Sequence, residues 1–120
     1  MRRAITGSPK AGKTTIAGAR ALHTDDLKDL HSWSAASEVA SSWFDMPGSD
    51  LCVEGVTVPR ALRKWLATHP EGRPIDELLV LGTPHQPLTP GQQAMAKGIN
   101  TVLKEIEPEL IKRGVKVIRQ

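Results

Sequence analysis

Tyrosine is absent from the sequence, and the aromatic side chains are three tryptophans, Trp33, Trp43 and Trp65, and one phenylalanine, Phe44. A core must therefore be built mostly from Leu, Ile, Val and Ala. Cysteine is nearly absent too. Cys52 is alone, which excludes an intramolecular disulfide and a cysteine metal cluster. It suits packing as a small hydrophobe on a buried strand, and its isolation fits a reducing, cytoplasmic setting. No run has the apolar length of a transmembrane helix, and the basic start Met1-Arg2-Arg3 is soon interrupted by Gly, Pro and Lys, unlike a signal peptide. No membrane partner is expected. Charge of one sign is not concentrated anywhere. The net charge of +3 suits an anionic ligand but supplies no basic track, so nucleic acid is not the favoured partner. The four histidines share no metal-ligand spacing, and no zinc site is expected.

What is present is an alternation. A length of 120 residues favours one domain, 1–120. Strands are expected at Arg2 to Thr6, Ala21 to Thr24, Leu51 to Val56, Glu77 to Leu81 and Val115 to Ile118. Helices are expected at Lys13 to Ala19, Leu27 to Phe44 with a break near Ser32, Pro59 to His69, and Ala94 to Arg113 with a kink or restart at Pro108. Gly114 reads as a helix stop. The stretch GTPHQPLTPGQQ reads as a long connection. Strands alternating with helices give an α/β fold with a mainly parallel sheet. Ligands of such sheets sit at the carboxyl ends of the strands. The loops after Thr6, Thr24, Val56 and Leu81 should therefore gather on one edge.

The sharpest signal is GSPKAGKT, Gly7 to Thr14, which fits G-x-x-x-x-G-K-[ST] at every position. The chain's own content of Gly, Lys, Ser and Thr gives a chance match roughly one time in a hundred. An expected strand before the motif and a helix after it supply the required context. Glycines at Gly7 and Gly12 let the backbone curl so that successive amides point at phosphate oxygens. The helix beginning near Lys13 adds the positive end of its dipole. Gly7, Ser8, Pro9, Lys10, Ala11, Gly12, Lys13, Thr14 and Thr15 are thus the candidate nucleotide-binding residues. Lys13 would reach the β- and γ-phosphates, and the Thr14 hydroxyl would ligate Mg²⁺.

On these residues the chain resembles the P-loop NTPase superfamily, and more narrowly its nucleoside and nucleotide kinases, in a reduced form such as phages encode. The resemblance implies a three-layer P-loop fold, a small mainly parallel sheet flanked by helices. It implies ATP as phosphoryl donor, Mg²⁺ as cofactor, and a location in the cytoplasm, the host's if the protein is viral. It also implies an acid after the second strand, an acid at the end of the third, and a lid before the last strand.

HTDDL, His23 to Leu27, supplies the first acid. Phosphoryl transfer needs a positioned nucleophile with a base or orienting group beside it. Asp25 or Asp26 would serve, since adjacent side chains at a strand end cannot both point one way. Asp25 could equally cap a helix. His23 reads as a satisfied strand-end residue. Glu54 interrupts the apolar run LCVEGV, where a charge is costly unless it is paired or meets a cation. It would support the metal, through water, or contact the acceptor; pairing with Arg60 is the bland alternative. Arg60 and Arg63 share a helix face. Arg60, nearer the strand end, would stabilise charge on acceptor or transferring phosphate, and Arg63 would contact substrate. The segment before the last strand holds no arginine, which departs from the family's lid, so Lys97 is its candidate cation. Trp33 is the candidate for stacking on a substrate base.

The expected activity is ATP-dependent phosphoryl transfer to a small acceptor, a nucleoside or nucleotide. A polynucleotide 5′-end kinase, or an ATP-binding or NTPase module without a small acceptor, is the alternative. A chain this short leaves room for a homodimer whose second copy supplies walls that exclude water.

Overall fold

The computed structural model describes residues 1–7, 22–27, 32–81 and 88–119. Within them lie five strands: β1 (Arg2–Gly7), β2 (Leu22–His23), β3 (Leu51–Glu54), β4 (Glu77–Leu81) and β5 (Lys116–Arg119). Three α-helices accompany them: α1 (Trp33–Trp43), α2 (Val58–Thr68) and α3 (Pro90–Lys112). Thr24–Leu27 is a 3₁₀ turn. The sheet order is β2-β3-β1-β4-β5, and every pairing is parallel. The fold is thus α/β, with a sheet that is entirely rather than mainly parallel.

Side-chain alternation splits the sheet into two apolar faces. Ala4, Val53, Leu78 and Val80 face the helices, where they meet Ala40 and Phe44 of α1, Leu62 and Trp65 of α2, and Leu103 and Leu110 of α3. Ile5, Leu79 and Leu81 form a smaller cluster on the other face, joined by Cys52 and Ile118. Each buried Leu, Ile or Val stabilises the fold by about 1.5–3 kcal/mol. The three helices share one face for a topological reason. The crossovers after β2, β3 and β4 all step in the same direction across the sheet, and right-handed crossovers that step one way land on one side.

The observed boundaries differ from the expected ones for identifiable reasons. The expected helix from Leu27 does not start there: Leu27 closes the 3₁₀ turn, and Ser32 caps α1 by accepting from the Ala35 amide. Asp25 is therefore not the cap of α1. The proline-rich connection is shorter than expected, because α3 begins at Pro90. Pro there needs no amide partner, and Thr89 and Gln92 form a reciprocal capping box. Pro108 does not restart the helix. It forfeits one intrahelical hydrogen bond, while Ile106 and Leu110 on either side of it are buried and hold the helix on the sheet. Gly114 does end α3, at φ +90°, with its own amide bonded to Ile111 and that of Val115 to Leu110. The expected helix at Lys13 to Ala19 lies outside the described residues.

The amino-terminal edge of the sheet is closed by polar contacts. Arg2 donates from its guanidinium to the carbonyls of Phe44 (2.7 Å), Met46 (2.8 Å), Gly48 (3.1 Å) and Pro74 (3.1 Å). Its backbone amide donates to Asp76 Oδ2 at 2.8 Å. One side chain therefore ties the end of α1 and the loop before β4 to the central strand.

Candidate functional site

Parallel strands deliver their carboxyl ends to one edge. Gly7, His23, Glu54 and Leu81 end β1, β2, β3 and β4 there. After β1 the chain moves to β2 on one side, and after β4 it moves to β5 on the other. The crevice between β1 and β4 is thus the switch point at which such sheets take ligands. Gly7, the first glycine of the phosphate-loop motif, closes β1 at that point. Its φ is +153°, and a Cβ on it would lie 2.1 Å from the carbonyl oxygen of Leu81. Only glycine lets β1 and β4 end this close together. Ser8, Pro9, Lys10, Ala11, Gly12, Lys13, Thr14 and Thr15 lie outside the described residues, as does His85.

The end of β3 is equally constrained. The Gly55 amide donates to the Ile5 carbonyl at 3.0 Å, and Thr6 Oγ1 donates to the Gly55 carbonyl at 2.9 Å. These two bonds pin the turn after Glu54 against the central strand. Gly55 has φ +138°, and a Cβ there would lie 1.7 Å from Thr24 Oγ1. The glycine thus makes room for Thr24. That threonine is 3% exposed, and its hydroxyl is buried with no hydrogen-bond partner among the described residues.

Beside them His23 and Glu54 stand in direct register across β2 and β3. Alternation puts both on the sheet face that carries Cys52, away from the three helices. His23 Nδ1 lies 2.5 Å from Glu54 Oε1. The carboxylate is 2% exposed, while the histidine side chain keeps 23% of its surface. Glu54 therefore meets an imidazole. His23 is a strand-end residue satisfied by a carboxylate, as expected, and its pairing with Glu54 also makes it a candidate for the site. Its signal was an ionisable side chain at the last position of a strand in a parallel sheet. Nearby, burial pushes the Cys52 thiol pKa up; Arg3 opposes the shift and Glu54 adds to it.

The other candidates divide between this edge and the outer surface. Asp25 and Asp26 fall in the 3₁₀ turn that follows His23, at the same edge. Arg60 is in the first turn of α2, which starts at this edge, and a Cβ on Gly98 would lie 3.6 Å from its Nη2. The guanidinium thus rests over α3 where that helix leaves the core. α3 is about 34 Å long at ~1.5 Å per residue, twice the ~17 Å of a five-residue strand. Its buried residues begin only at Ile99. The turns before Met95, which packs on the core, project past the carboxyl edge, and Lys97 is exposed just after them. Arg63 is placed elsewhere: Nη1 donates to Glu105 Oε2 at 3.2 Å on the exposed seam between α2 and α3. Trp33 opens α1.

Among the described residues no helix is long and apolar enough to cross a membrane. Nor do three or more His, Cys, Asp or Glu side chains cluster as they would to hold a metal ion. Compared with protein-family models, curated proteins and solved structures, the chain matches none.

Proposed function

We propose that the protein is a small P-loop phosphotransferase of three-layer α/β fold that moves the γ-phosphoryl group of ATP to a small acceptor, a nucleoside or nucleotide. The observation that carries this reading is the position of the motif. Gly7 to Thr14 starts at the last residue of the central strand, in the crevice between β1 and β4 where the chain's connections part.

In this reading the loop amides from Ser8 to Thr15 and the Lys13 ammonium hold the donor phosphates and stabilise the charge that develops on them. Thr14 would hold Mg²⁺, which when bound neutralises the phosphate oxygens. One protein hydroxyl with phosphate oxygens and waters is a donor set that suits this ion, which seldom uses an all-protein cage. Asp25 or Asp26 orients the acceptor. Arg60, between α2 and α3, binds acceptor or transferring phosphate, and Lys97 lies just after the projecting turns of α3.

The test is transfer of label from γ-labelled ATP, with Mg²⁺, to a panel of nucleosides, mononucleotides and 5′-hydroxyl oligonucleotides. Label should appear on a small acceptor, and Lys13→Ala should lower the rate by about 10²–10³-fold. Release of free phosphate with every acceptor refused would mark an NTPase instead.

A further inference from the structure

We propose that His23 takes the proton from the acceptor, with Glu54 as its positioning residue, and that the acceptor group is therefore a hydroxyl and not a phosphate. The inference rests on the phosphoryl-transfer reading above and narrows its substrate class.

The geometry is that of an imidazole held from behind. His23 and Glu54 are cross-strand partners, so the sheet itself fixes their separation. A carboxylate has acceptor sites only, so Nδ1 carries the ring hydrogen and donates it to Glu54 Oε1. In the neutral ring Nε2 then bears the lone pair. Glu54 is the buried member of the pair and His23 the partly open one. Glu54 is assigned here to the imidazole because its Oε1 is at the ring nitrogen.

Two neighbours make this pair more than a strand-end contact. Thr24 follows His23 and carries a buried hydroxyl without a partner among the described residues. Gly55 follows Glu54 and has no side chain, so Thr24 can sit against the backbone at that point. Thr24 fills the space over Gly55, and this close packing holds the ends of β2 and β3, with the His23–Glu54 pair on them, at the carboxyl edge next to the strand end that leads into Gly7 to Thr14.

In the step, the acceptor oxygen bonds to the γ-phosphorus and its proton passes to His23 Nε2. The bond from that phosphorus to the bridging oxygen breaks, and its electron pair leaves with ADP. The imidazolium formed is balanced by the Glu54 carboxylate, and its extra proton is lost to solvent after product release. A nucleotide phosphate dianion has no proton to give up and would not need such a base.

The experiment is the labelled-ATP assay on nucleosides and nucleoside monophosphates, with His23→Gln, Glu54→Gln and His23→Ala compared with the unaltered protein. ATP binding is measured on each by calorimetry. His23→Gln keeps a donor for Glu54 and removes the base. Expected are transfer to nucleosides and a fall in kcat of about 10²–10⁴-fold in His23→Gln. KM and ATP affinity should change by no more than a few fold. Added imidazole should restore part of the activity of His23→Ala, which a purely structural histidine would not allow. Glu54→Gln should lose kcat in the same direction. If His23→Gln keeps its kcat while label still moves, the base lies elsewhere and the kinase reading stands without this pair. Transfer to monophosphates alone overturns the hydroxyl acceptor. Label held on the protein, stable in alkali and lost in acid, would make His23 a nucleophile. Transfer to no acceptor at all removes the kinase reading and this inference together.

Discussion

The two edges of the sheet are built on opposite plans. At the amino edge the polar groups of Arg2 and Asp76 answer one another and the surrounding carbonyls: the Asp76 amide donates back to the Arg2 carbonyl at 2.7 Å, and the Lys116 amide donates to the Asp76 carbonyl at 3.0 Å. Three strands and two loops are locked by these bonds. At the carboxyl edge two glycines instead lie so close to their neighbours that a Cβ would meet the Leu81 carbonyl oxygen at 2.1 Å or Thr24 Oγ1 at 1.7 Å, and an acid is buried against a histidine. The difference separates the edge that ties the strands together from the edge at which we propose the site. One edge is optimised for holding the strands. The other packs two glycines tightly around an acid–histidine pair, at some expense of stability.

The comparison can be broken most forcefully at Gly7. Gly7→Ala would drive a Cβ into the Leu81 carbonyl, a backbone atom that cannot rotate away. A loss of about 4 kcal/mol or more is expected in denaturant unfolding. A near-neutral result would mean that the ends of β1 and β4 are not held together as described. Arg2→Ala comes next. It frees several carbonyls, some of them reachable by water, so about 2 kcal/mol should be lost with ATP affinity unchanged. A drop in ATP affinity there would show that the two edges are not independent. The smallest effect has the opposite sign. Thr24→Val keeps the shape of the side chain and removes the unpaired hydroxyl, so stability should rise by about 1 kcal/mol while transfer activity falls. A destabilised Thr24→Val protein would mean that the hydroxyl is satisfied after all.

Much of the sheet was legible in the sequence because strand signals here are local. The apolar runs around Ala4, Val53, Leu79 and Val117 are short, bounded by turns, and long enough for one sheet crossing. Ser32 and Gly114 marked helix ends because caps are local chemistry too. Pro90 misled for the same reason: three prolines close together suggest a loop, yet the first turn of a helix tolerates one, and the Thr89–Gln92 pair was the available clue. The pairing of His23 with Glu54 was not legible. It depends on β2 and β3 being neighbours, and no short stretch of sequence states which strands adjoin. The resting place of Arg60 against Gly98 was hidden likewise, since it depends on how far α3 overhangs the sheet. Helix period and length could show the overhang only once its buried half was known.

The order of the strands has a consequence for how the chain comes into being. β1 is the central strand, yet it is synthesised before both of its partners. One side of it stays unpaired until Leu51–Glu54 exists, and the other until Glu77–Leu81 follows. At about 5–20 residues per second that wait lasts several seconds on the ribosome. Through it, an apolar segment with free backbone donors on both sides is exposed to anything that can add a strand. Because the two pairings that complete it are distant in sequence, refolding should also be slow for a protein of this size. The strand that organises the finished sheet is the one most vulnerable while the sheet is being made.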